Sequence, residues 1–459
     1  MKRLSLTSDL LKVCALLRLC RTAAGAALLV AVCASDARGG EVGNFDGFFL
    51  NMSPSGNFLL PTLQGTVSAR IVSEAGRLTA KVSLQSGRLV FTSSAWDSDN
   101  GQASSVVLNA RSGETLWLSV TNGVSMEGTL SNGSLGDTVL RLFGGRNLFW
   151  DRRDAAAQET LRLFKGYYTM SLPNNAVLWQ GAAQAAPTGI GHLSMKIGTR
   201  GKAKIGGRLA DGTRVSQTAQ LIFLEGIPFG YVPFFVPLYG RNGWAGGIMT
   251  IDPSNGVMAA PYRVCWDNPG SGPDGFQLTM NLCGGYYRAL SCACGWNDAP
   301  GVTFAQAYLF SADPPLGMSY YDSLGPVSFV PGAVPQEIGV TTRLPATFVM
   351  ARGVKPVKQE DGTYFYPAGN SAQARLSFSA RTGIFKGRFK LYADGVSTAG
   401  KPTHKAVSVV YQGVLTPVRD PAYALWPTGM GCYTVPDKDP AVAPYRVKRS
   451  FPVWLEDAQ

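Results

Sequence analysis

The sequence predicts an all-β protein: tandem antiparallel meanders, closed into small barrels or sandwiches, followed by a larger, related C-terminal β domain. Three observations predict it. Apolar and polar residues alternate with period two over several stretches, as they do in strands with one buried and one wet face. A frame of a glycine, a leucine eight residues on and a turn glycine soon after occurs three times, the last turn glycine one residue later than the others. The 459 residues also include 54 glycines and 28 prolines at 45% apolar content, which supplies both cores and the turns that many short strands need. At roughly 100–200 residues per domain the length accommodates two to four domains.

Residues 1–34 read as a secretory signal. A basic segment with Lys2, Arg3, Lys12, Arg18 and Arg21 precedes a short aliphatic run ending at Ala34, with Val32 and Ala34 placed for cleavage and a second candidate site after Ala37. Cys33 departs from a lipidation motif because Val32 stands where a small residue belongs. No later stretch is long and apolar enough for a membrane-spanning helix. Without this segment the formal charge falls from +12 to +8, carried by dispersed Lys and Arg. Such a balance suits an acidic polysaccharide or an anionic cell surface, and no nucleic-acid-binding motif accompanies it.

Residues 41–150 form the first β repeat. Leu78, Ala80, Val82 and Leu84 alternate with Thr79, Lys81 and Ser83, between Gly76 and a turn at Gly87. Residues 151–165 contain the one helical stretch, capped by Asp154, and are expected to link two domains. The second repeat covers 166–260. There Leu193, Met195 and Ile197 alternate with polar residues, Gly201 precedes Leu209 by the same interval as Gly76 precedes Leu84, and Gly212 follows. Gly47 to Ser53 also parallels Gly166 to Ser171. The third copy, Gly383 to Leu391 with Gly395 as its turn glycine, lies in a C-terminal domain over 261–459. Its strands are expected at 375–380, 385–392, 407–414 and 447–455, behind an irregular, cysteine-containing leading half at 261–345.

The runs Gly166 to Pro173, Gly189 to Leu193, Gly207 to Thr213 and Val236 to Gly240, with Gly383 to Tyr392 and Gly429 to Gly431 at the C-terminal end, resemble the glycine-rich β repeat domains, and their C-terminal module, of large secreted and surface proteins of bacteria. The likeness covers about two thirds of the chain. It implies a fold and an extracellular setting; the family has no established activity to carry over.

His192 and His404 are the only histidines, no Gly-x-Ser-x-Gly turn is present, and no phosphate, dinucleotide or His-Glu-x-x-His motif appears. No enzyme activity, metal or cofactor is expected. Asp97 to Gly101, Asp252 to Gly256 and Asp267 to Gly270 have oxygen donors but read as turns. Cys265, Cys283, Cys292 and Cys294 are candidates for local disulfides, leaving Cys432 as the odd thiol. Tyr239, Trp244, Tyr286 and Tyr287 are candidate ligand-binding rings, set against the alternative that aromatics pack β cores. The expected role is a non-enzymatic secreted or envelope protein, structural or adhesive, with surface polysaccharide or other envelope proteins as partners. The alternatives are a carbohydrate-binding module using exposed Tyr and Trp, and an outer-membrane β-barrel.

Overall fold

The computed structural model describes residues 42–53, 61–72, 77–93, 97–99, 103–131, 138–180, 186–254, 256–270, 275–287, 352–367, 370–379, 381–396, 400–416, 429–436 and 448–457, and the strands lying between 306 and 350. Among them are three large antiparallel sheets and a two-stranded hairpin.

The first sheet is a nine-stranded meander: β1 (Gly43–Asn51), β2 (Thr62–Ile71), β3 (Leu78–Leu84), β4 (Arg88–Ser93), β5 (Asp97–Asp99), β6 (Ala103–Asn109), β7 (Thr115–Thr121), β8 (Ser125–Ser131) and β9 (Leu140–Arg146). Its order, β4-β3-β2-β1-β9-β8-β7-β6-β5, curls into a nearly closed barrel. The alternation read in Leu78 to Leu84 is the burial pattern of β3, whose four apolar side chains point inward. Phe45, Phe49, Val67, Leu118 and Leu130 join them, while Arg70, Lys81, Arg88, Glu127 and Arg141 are exposed outside. A barrel built for lipid has the reverse arrangement, apolar outside and polar within. The outer-membrane barrel reading is therefore corrected for this sheet.

Helix α1 (Ala155–Phe164) follows, with the Asp154 carboxylate accepting the Ala157 amide at 3.0 Å as the sequence predicts. It is more than a connector. Ala157, Leu161 and Phe164 are buried, and Phe164 meets Phe223 edge to face at 5.2 Å.

The second sheet has twelve strands: β10 (Gly166–Leu172), β11 (Asn174–Gln180), β12 (Gly191–Ile197), β13 (Lys202–Arg208), β14 (Arg214–Gln220), β15 (Ile222–Phe223), β16 (Gly230–Leu238), β17 (Gly243–Ile251), β18 (Val257–Ala259), β19 (Val264–Asn268), β20 (Phe276–Met280) and β21 (Cys283–Tyr286). It extends past the expected boundary at 260. β19 pairs with β17 and β20, and Trp266, Phe276 and Leu278 are fully buried in this unit's core. The stretch read as an irregular leading half thus divides between two sheets.

The third sheet draws on β22 (Gln306–Ser311), β23 (Ser319–Asp322), β24 (Gly325–Phe329), β25 (Ile338–Arg343) and β26 (Thr347–Met350). The small hairpin β27 (Val357–Lys358) and β28 (Tyr364–Phe365) interrupts it. β29 (Arg375–Phe378), β30 (Ile384–Val396), β31 (Pro402–Leu415), β32 (Gly429–Pro436) and β33 (Lys448–Asp457) complete it.

The glycine frame marks hairpins. Gly201 and Gly383 both adopt φ +66°, a left-handed conformation that glycine enters without a Cβ penalty. Gly76 lies outside the described residues. Gly395 is not a turn residue: it sits within β30, which runs on to Val396, and the positive φ belongs to Gly400. The three sheets also share one closing device. In each, the first strand pairs antiparallel with the last: β1 with β9, β10 with β21, and β22 with β33.

Candidate functional site

The four aromatic candidates do not form a platform. Trp244 and Tyr287 are buried, at 4% and 3% exposure. Trp244 packs on Phe235 within an apolar cluster that includes Phe48 and Leu50 of the first sheet. Tyr287 meets Tyr167 edge to face at 6.0 Å, and Tyr286, the most exposed of the four, meets Tyr168 in the same way at 5.5 Å. Tyr239 is a strut. Its hydroxyl donates to Asp211 Oδ2 at 3.0 Å and accepts from Trp266 Nε1 at 3.0 Å, and burial raises its pKa. Burial therefore corrects the ligand-stacking expectation for Trp244 and Tyr287, whose rings are occupied by packing, while Tyr286 keeps 36% exposure. Tyr239→Phe is expected to lower stability by about 1–3 kcal/mol, because the buried indole N–H loses its acceptor. Chemical denaturation with a circular-dichroism readout would measure it.

Cys265 and Cys283 are not joined to each other. Cys265 is free and buried in the apolar cluster beside Trp244 and Ile248, where burial pushes its thiol up to about 12. Cys283 is half-buried on β21; Cys292 and Cys294 lie outside the described residues. Cys432 is a free, buried thiol, pushed to about 12 chiefly by burial.

Two of the oxygen-rich segments show the turn chemistry expected. Asp252 Oδ1 accepts the Ser254 amide at 2.8 Å, and Asn268 Oδ1 accepts the Gly270 amide at 3.2 Å. Asp97 and Asp99 lie in β5; Asn100 and Gly101 are outside the described residues. His404, on β31, stacks between Tyr364 at 3.7 Å and Tyr392 at 5.3 Å.

The feature that reading the sequence missed lies between the second and third sheets. Their outer faces touch along one line. Thr169 Oγ1 donates to the Leu415 carbonyl at 2.7 Å, and Thr188 Oγ1 to the Ser450 carbonyl at 2.6 Å. Gly189 lies in this joint, and a Cβ there would strike Ser450 and Cys432. Beside the joint the two sheets line a cleft of about 750 Å³. His192, Ser194, Arg208 and Arg214 line one wall; Ser377, Lys386 and Gln412 line the other. Gly206, on the same face as Ser194, leaves room, since a Cβ there would meet nothing nearer than 3.9 Å. Among the described residues lining the cleft there is no carboxylate.

His192 sits deep in this wall at 2% exposure, and its Nδ1 has no hydrogen-bond partner. Burial first, and the Arg208 charge second, lower its pKa to about 4, so the ring is neutral at pH 7. The arrangement offers fixed positive charge and hydroxyls.

No protein-family model matches the chain, and no curated protein matches it. Among solved structures, it is similar to a candidate outer membrane protein of Bacteroides fragilis NCTC 9343, at 12% identity, with 54% of this chain and 100% of that one covered and a TM-score of 0.17. It is also similar to isotype 1 transferrin binding protein B from serogroup B Neisseria meningitidis, at 12% identity over 91% of this chain and 63% of that one, with a TM-score of 0.19. Likenesses at these scores carry no argument about function.

Proposed function

We propose that this is a non-enzymatic protein of the cell envelope or extracellular space, adhesive in role, which binds its partner in the cleft between the second and third sheets. The observation that carries the reading is the cleft lining: cations and hydroxyls on paired strands, with no carboxylate among the described lining residues. Preformed concavities with a few converging polar groups are where proteins hold ligands. The signal-like N-terminus and the resemblance of the repeats to domains of secreted and surface proteins support the compartment.

Gly206→Phe tests the site. It fills the cleft, changes no charge and places a residue of high strand propensity in β13. On an array of acidic and neutral glycans, the wild-type protein is expected to bind and Gly206→Phe to lose that binding while keeping its circular-dichroism spectrum. Binding undiminished by the plug would move the site elsewhere. Release of reducing sugar or ester product during incubation would overturn the non-enzymatic reading.

A further inference from the structure

The charges on the two cleft walls are arranged against the interest of the fold. In the described strand ladders a cation stands directly opposite another cation three times: Lys196 with Lys204, Arg208 with Arg214, and Arg375 with Arg388. Like charges in directly opposed positions destabilise a sheet. Of these, the Arg208–Arg214 pair lines the cleft, and the other two pairs lie farther along the same strand faces. Lys196 and Lys204 share the face of His192, Ser194 and Gly206, and Arg375 and Arg388 share that of Ser377 and Lys386. None of the six pairs with a described carboxylate, and the Arg208 guanidinium donates only to the Gly212 carbonyl, at 3.0 Å. A like-charge pair set directly into the lining of a cavity, with Lys386 on the opposite wall and no carboxylate among the described lining residues, is shaped for something other than stability. An anion between the walls would relieve the repulsion.

We propose that the cleft binds the anionic groups of an acidic glycan, carboxylate or sulfate, between the Arg208–Arg214 pair and Lys386. The proposal rests on the binding role argued above and names its ligand class. The remaining lining distinguishes a glycan from a nucleic acid. Ser194, Ser377, Ser379, Thr382 and Gln412 suit sugar hydroxyls, whereas Phe378 is the only ring besides His192 among the described lining residues. Single-stranded nucleic acid is held by successive aromatic stacks, which this cleft does not offer.

The test uses the purified protein with four probes: polygalacturonate for carboxylate, dextran sulfate for sulfate, neutral dextran, and a single-stranded DNA oligonucleotide. One or both acidic glycans should bind, more weakly as salt rises because exposed charges are screened. The combined variant Arg208→Gln, Arg214→Gln, Lys386→Gln should weaken that binding at least about tenfold. A control removing the same charge elsewhere, Arg70→Gln, Arg141→Gln, Arg153→Gln, should stay within about twofold. Arg214→Gln alone should leave the melting temperature unchanged or higher, since it removes a repulsive pair. A lower melting temperature would make the arginine structural and overturn the argument from the charge pairs. Neutral dextran bound as tightly as the acidic glycans, or DNA bound more tightly and lost in the triple variant, would overturn the ligand class while leaving the cleft as a binding site. Equal loss in the control variant would reduce the effect to net charge. No retention of any probe, with wild type and Gly206→Phe alike, would overturn the binding reading itself.

Discussion

Acidification from pH 6.5 to pH 4 is expected to remove roughly 3 kcal/mol of folding stability through one side chain, His192. In the unfolded chain the ring titrates near its ordinary 6.5, and in the fold near 4. The folded state therefore prefers the neutral ring. The contribution is complete above pH 6.5 and is lost as pH falls toward 4, because the unfolded chain takes up the proton first. The cause is geometric. His192 is buried on β12, directly across from Arg208 on β13, and a charged imidazole there would stand without solvent beside a guanidinium. Urea unfolding at a series of pH values should show the slope, and His192→Gln, which carries no titrating group, should flatten it. The same steepness in His192→Gln would assign the acid sensitivity elsewhere. Asp46 does not supply it: burial raises its carboxyl pKa, so protonation on acidification favours the fold.

Trp266→Ala is expected to cost about 3–5 kcal/mol. Trp266 has no exposed surface, meets Phe276 edge to face at 4.8 Å, and anchors the Tyr239 hydroxyl that in turn holds Asp211. Truncation removes the largest fully buried side chain of the second unit's core and leaves a void that paired strands on both sides cannot close. Trp266→Phe separates the two contributions, since it keeps most of the volume and deletes the N–H donor. In that background Tyr239→Phe should cost less than in the wild type, by about 1 kcal/mol, because no indole donor is left stranded. Additive losses would show that the Tyr239 link does not depend on Trp266.

The strands were legible because their signal is local. Alternation in Leu78 to Leu84 and in Leu193 to Ile197 reports a buried face wherever its partner lies in the chain, and the same residues line the cores. The cleft was not, because its walls come from residues 192–214 and 377–414, whose charged positions each look like an ordinary solvated strand face. Part of it was within reach. The turn at Gly201 sets the β12–β13 register, and Asp211 to Thr213 set the β13–β14 register, so the opposed cations of this wall follow from two short hairpins. The meeting with Lys386 required the three-dimensional joint. Tyr239, Trp244 and Tyr287 were open to two readings because a large ring suits a core and a binding surface equally, and only burial separates them.

The pairing of first with last strand has a consequence for how such a chain can be assembled. A unit closed in this way has its entrance and exit side by side, so the polypeptide enters and leaves at one edge of the same ladder. Segments with neighbouring ends can be copied, exchanged or inserted with little disturbance to what surrounds them. The design is that of an interchangeable cassette. Adding or losing one would change the number of joints between neighbours, and with it the number of clefts, while each barrel or sheet kept its own closure.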